Sequence, residues 1–151
     1  MKKKVVISSV IVGIIVIILV AVCVSGAPTH YSIAEIRTEG WPGHKVSIDV
    51  ARISPFGGGV SYSETQGQYA FFIYDKTAIY TGGTAYEDIV VIVKSQNINF
   101  TPQEGDFIRL TGELQASDVG TPRAGWRYDK KAMIIYAFRV ERTIAPADWG
   151  D

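Results

Sequence analysis

The residues able to do chemistry are few, and their types narrow what that chemistry is. The stretch 115–131, QASDVGTPRAGWRYDKK, sets Arg123, Arg127, Lys130 and Lys131 against Asp118 and Asp129, a local net charge of +2, with Trp126 and Tyr128 among the cations. Cations attract phosphate, and aromatic rings offer flat faces on which any nucleobase stacks, for about 1–3 kcal/mol per base. The same composition also suits a solvated loop or a contact to anionic lipid.

Other chemistries find less support. Zinc and similar ions need several converging His, Cys, Asp or Glu ligands, and the chain has two histidines, His30 and His44, and one cysteine, Cys23. No metal or other cofactor is expected. A serine nucleophile needs a base, and both histidines lie in Pro-containing stretches, PTH and PGH, outside any nucleophile motif. The carboxylates Glu87-Asp88 and Glu104/Asp106 read as solvated turn charges rather than an acid–base pair. Gly57-Gly58-Gly59 is followed by neither Gly-Lys-Ser nor a helical pattern, so it carries no phosphate-loop signal. The expectation is a protein that binds and does not catalyse.

The elements that position these residues follow from composition. From Ser25 onward the chain holds 21 Ile+Val but two leucines, Leu110 and Leu114, together with all 17 aromatic residues. Branched and aromatic side chains fit pleated strands. Alternation and apolar runs predict strands at Lys45–Ile53, Gln68–Asp75, Asp88–Lys94, Phe107–Leu114 and Ala132–Val140, with Tyr31–Arg37 as a helical turn or a further strand. The Gln68–Asp75 strand is apolar on both faces. Five strands with long turn-rich connections predict an all-β Greek-key barrel rather than a sandwich.

Residues 5–24 carry no charge, and 17 of these 20 are apolar. As a helix they reach about 30 Å, the thickness of a bilayer's hydrocarbon layer. The run reads as a transmembrane helix or as a signal sequence cleaved after Gly26, and its length favours the span. Lys2, Lys3 and Lys4 make residues 1–4 a basic tail, and the nearest cations after the run are Arg37 and Lys45, so the tail is expected in the cytoplasm and the domain outside. A cleaved chain would be secreted. Cys23 lies within the run, and residues 25–31 read as a linker, 32–142 as the barrel and 143–151 as a tail. Without the first 24 residues the net charge is −3. Asn99-Phe100-Thr101 has the form of a glycosylation acceptor, or is simply a polar loop.

SIAEI at 32–36, KVSIDVARI at 45–53, FFIYDKT at 71–77 and GDFIRLTGEL at 105–114 together resemble the OB-fold of anticodon-binding and single-strand-binding domains. In that family Gly-Asp turns into the fourth strand and a later glycine, here Gly112, lets it coil. Two departures stand out: a 12-residue connection replaces the tight hairpin after Asp75, and the helix between the third and fourth strands shrinks into Ser95–Glu104. Exported haem chaperones share the fold, but no histidine follows His44 to carry a haem. The resemblance implies a ligand surface on the second and third strands and the connections joining strands one to two and four to five. It brings Tyr62, Tyr69 and Phe71, with Phe56, to the site of Arg123, Trp126, Arg127, Tyr128 and Lys130. Single-stranded nucleic acid or another extended anionic polymer is one implied ligand. A cell-envelope protein is the alternative, favoured by the acidic net charge, and a small-molecule pocket a third.

Overall fold

The computed structural model describes residues 26–55, 58–77, 89–117 and 132–149. Residues 5–24 lie outside this set; among the described residues no helix is long and apolar enough to cross a membrane.

The elements in chain order are strand β1 (Thr29–His30), helix α1 (Ile33–Glu39), β2 (Lys45–Ile53), β3 (Ser61–Ser63), β4 (Gln68–Tyr74), β5 (Ile89–Lys94), a 3-10 turn at Ser95–Asn97, β6 (Phe107–Ser117) and β7 (Ala132–Arg142). The five expected strands are β2, β4, β5, β6 and β7. Two short strands add to them. β1 pairs in parallel with β2, Thr29 opposite Val46, so part of the expected linker 25–31 is strand. β3 forms a hairpin with β4 across Glu64–Gly67, where Gly67 takes a positive φ.

The sheet runs β1-β2-β6-β7-β5-β4-β3, and a further β2–β4 pairing, Arg52 opposite Tyr74, closes five strands into a barrel. β5 and β7 are parallel and the other contacts between the five are antiparallel, which is Greek-key connectivity. Inward positions on each strand fill it: Val46, Ile48, Ile53, Phe71, Ile73, Val91, Val93, Ile108, Leu110, Leu114 and Ile135 are all buried. β6 and β7 slip register between Thr111 and Gly112. A Cβ on Gly112 would lie 2.6 Å from the Tyr136 carbonyl oxygen and 2.7 Å from the Ile135 side chain, so glycine permits the close approach.

α1 plugs one end of the barrel. Ser32 caps it in a reciprocal box with Glu35, and Ile33 and Ile36, three apart on one face, both reach the core. The Asp75 carboxylate, just past β4, accepts from the Ile33 backbone N–H at 2.7 Å and from the Thr77 N–H at 2.8 Å, while Thr77 Oγ1 accepts from the Ala34 N–H at 3.1 Å. The DKT stretch is therefore the anchor for the helix start. At the same end lie the Gly40–His44 turn, whose Gly43 N–H donates to the Leu114 carbonyl, and the paired strand ends Ser117 and Ala132. The β3–β4 hairpin and the 3-10 turn occupy the opposite end, joined where the Ser95 N–H donates to the Gly67 carbonyl.

Residues 143–149, expected as a tail, fold back onto the barrel wall. The Trp149 ring packs edge-on against Phe107 at 4.9 Å and tilted against Tyr74 at 6.1 Å, and Asp148 pairs with Lys76.

Candidate ligand-binding face

Strand alternation sorts β4 into two faces. Phe71 and Ile73 point inward and are buried, so Ala70 and Phe72 point outward. Ladder register extends this outer face across β5 and β7. Phe72, Val90 and Ile134 form one row; Ala70, Ile92 and Tyr136 form the next, continued by Ser61 of β3. Gln68 and Lys94 form a third row, beyond which lies Phe138, next to the β6–β7 register slip. Ile134 is buried, whereas Phe72, Val90 and Ile92 are half-buried, Tyr136 is 37% exposed and Phe138 50%. Three aromatic rings thus share a largely apolar wall on which, among the described residues of β4, β5 and β7 in these rows, Lys94 is the one charged side chain; Glu113 of β6 lies directly opposite Tyr136.

Such a wall supplies surfaces for stacking and for apolar contact, and little charge. Residues 118–131 join the paired ends Ser117 and Ala132, the latter two residues before Ile134 on β7. That connection carries Arg123, Trp126, Arg127, Tyr128 and Lys130, which lie outside the described residues, as does Phe56. The barrel end beside it holds Ile33 and Ile36, both buried.

The remaining expected site residues fall elsewhere. Phe71 is 1% exposed and part of the core, which corrects its assignment to a ligand surface. Tyr69 shares its inward parity, is half-buried against the core, and pairs with Tyr62 at 4.7 Å between ring centroids. Tyr62 is half exposed at the hairpin end. The rings that do line the outer face, Phe72, Tyr136 and Phe138, were legible only through parity: in β4 both parities are aromatic, and a one-residue slip exchanges the faces.

The opposite wall, formed by β2, β6 and the later half of β7, is charged but balanced. A shallow depression of about 250 Å³ there is lined by Ser47, Asp49, Thr111, Arg109, Arg139 and Glu141. Glu141 accepts from Arg139 at 2.6 Å and from Arg109 at 2.9 Å, and the Arg139 hydrogen bond, reinforced by the charges of both arginines, holds its carboxyl below the usual range. Both guanidinium groups are thus engaged internally. His30 Nδ1 lies 3.0 Å from Asp49, and His44 stacks on Tyr31. Among the described residues no three His, Cys, Asp or Glu side chains converge as metal ligands would.

No protein-family model matches the chain, and no curated protein matches it. Among solved structures it is similar to an aspartyl-tRNA synthetase from Leishmania major Friedlin, with a TM-score of 0.50 and 11% identity over 78% of this chain and 21% of that one. It is also similar to the aspartyl-tRNA synthetase from Entamoeba histolytica (TM-score 0.49, 16% identity, 82% of this chain, 24% of that one). A third is the small single-stranded DNA-binding protein from Streptomyces coelicolor (TM-score 0.41, 12% identity, 68% of this chain, 94% of that one). The chain spans less than a quarter of the length of either synthetase. At such identities the likeness carries the fold alone; with the closed strand order, that fold is the OB barrel.

Proposed function

We propose that the chain is a non-enzymatic binding module, held outside the cell by residues 5–24, whose β4–β5–β7 wall receives single-stranded nucleic acid or a similarly extended anionic ligand. The observation that carries this reading is the trio Phe72, Tyr136 and Phe138 on one outer wall, adjoining the strand ends that bear the cationic 118–131 connection. Rings supply stacking for unpaired bases, and Arg123, Arg127 and Lys130 supply countercharge for phosphates. The OB fold supports part of the placement, since ligand surfaces on this fold lie over its second and third strands, here β4 and β5, and the connection between the fourth and fifth, here 118–131.

A protein partner is the second reading. It is favoured by the apolar wall with its single described cation and by the net charge of −3 beyond the span, since phosphate affinity rests on cationic neutralisation. Salt separates the two. Fluorescence anisotropy of a labelled single-stranded oligonucleotide, titrated with the full chain in phosphatidylcholine nanodiscs, should show saturable binding at low salt that weakens steeply as salt rises. Arg123→Ala with Arg127→Ala should reduce both the affinity and the salt slope. Absence of binding at low salt removes nucleic acid and leaves the protein partner, to be sought by crosslinking in the membrane.

A further inference from the structure

The helix end of the barrel brings together the point where the chain arrives and an exposed tryptophan turn. Gly26 is held there by Lys45, whose Nζ donates to the Gly26 carbonyl at 3.5 Å, and β1 then runs directly along β2. Only residue 25 separates Gly26 from the apolar run 5–24. Two peptide steps reach at most about 7 Å. The polar layer on each side of a bilayer is itself roughly 5–7 Å deep, so a spanning run places Gly26 in or at the headgroups.

The Gly40–His44 turn stands at this same end. It is tied down by the Gly43 N–H to Leu114 carbonyl bond at 2.7 Å and by the His44 N–H to Trp41 carbonyl bond at 3.0 Å, so it projects as a fixed feature. Trp41 is 45% exposed at its tip, with Pro42 exposed beside it and Lys45 just behind. Tryptophan partitions to the membrane–water boundary, where its ring meets the apolar layer and its N–H meets headgroups. Glu39 and Glu113 flank the turn, so the turn's own contact suits a zwitterionic headgroup and calls for no anionic one. The β3–β4 turn at the far end presents Glu64, Thr65 and Gln66 instead.

We infer that the helix end of the barrel rests on a phosphatidylcholine-type headgroup layer, with Trp41 at the tip of the Gly40–His44 turn as the inserted contact. This rests on residues 5–24 spanning the bilayer, and it fixes the orientation that such a tether otherwise leaves free. The barrel then stands with its hairpin end away from the membrane and its β4–β5–β7 wall open to the side.

The test uses the full chain in phosphatidylcholine vesicles, with Cys23→Ser as background and a nitrobenzoxadiazole label at either Pro42→Cys or Asn99→Cys, exposed sites at opposite ends. Lipid-borne nitroxide should quench the label at position 42 several-fold more strongly than that at 99, and aqueous iodide should show the reverse order. Adding Trp41→Ala to the Pro42→Cys chain should reduce the lipid quenching while the chain still unfolds in one cooperative thermal transition. Equal iodide quenching at both positions, in vesicles that retain the chain through an alkaline carbonate wash, overturns the orientation while leaving the tether intact. Release of the chain by that wash overturns both.

Discussion

At the scale of single residues, Gly112 and Tyr136 answer to different demands although their backbones touch. Any side chain at Gly112 meets the Tyr136 carbonyl and Ile135 below van der Waals distance, with backbone as one neighbour that cannot swing away. Gly112→Ala should therefore cost about 1–3 kcal/mol, read as a lowered midpoint in thermal or denaturant unfolding. Glu141 responds to acid. Its folded pKa is depressed below the ordinary 4.5 by Arg139 and Arg109, so its stabilisation is present above that value and lost as pH falls through the folded one. The difference in melting temperature between the wild type and Glu141→Gln should shrink on acidification from 7 to well below the ordinary carboxylate range; a constant difference would count against the pairing. The glycine was legible in the sequence through the resemblance to the OB-fold, in which a glycine at this place lets the fourth strand coil. The aromatic wall was not, because QYAFFIY offers Tyr69, Phe71, Phe72 and Tyr74 and only tertiary closure says which pair faces out.

At the scale of elements, the five long strands follow from Ile/Val alternation and were legible to within a few residues, whereas the short pieces depend on contacts distant in sequence. β1 exists because Thr29 and His30 find β2, and the two residues carry no strand pattern of their own. α1 is tied to Asp75, 42 positions on from Ile33. Asp75→Ala removes the acceptor for a buried helix N–H and for the Thr77 N–H, and should destabilise the fold by about 2–3 kcal/mol, against about 1 kcal/mol for Ser32→Ala, as chemical denaturation would measure. The 143–149 strap is the least legible element, since nothing local in it signals that Trp149 returns to Tyr74 and Phe107. Trp149→Ala should cost about 1–2 kcal/mol, the ring being only half-buried, and should speed amide exchange in residues 143–149 before the barrel opens.

At the scale of the whole molecule, the barrel separates its surfaces. One end receives the chain and carries Trp41; the opposite end carries the hairpin; the β2–β6–β7 wall spends its charges on itself; and the β4–β5–β7 wall presents rings with few charges of their own. Two walls of one small barrel thus differ sharply in chemistry, and only the second has exposed rings in excess of what the core needs. The proposed function stands on that asymmetry. Its most direct test is the affinity of the full chain in phosphatidylcholine nanodiscs for a labelled single-stranded oligonucleotide at low salt, compared between the wild type and Tyr136→Ala with Phe138→Ala. Two exposed rings leave the core intact, so the variant should melt like the wild type and bind about 5- to 150-fold more weakly for each base that loses its stacking partner. Unchanged affinity in a folded variant would contradict the assignment of this wall as the binding surface.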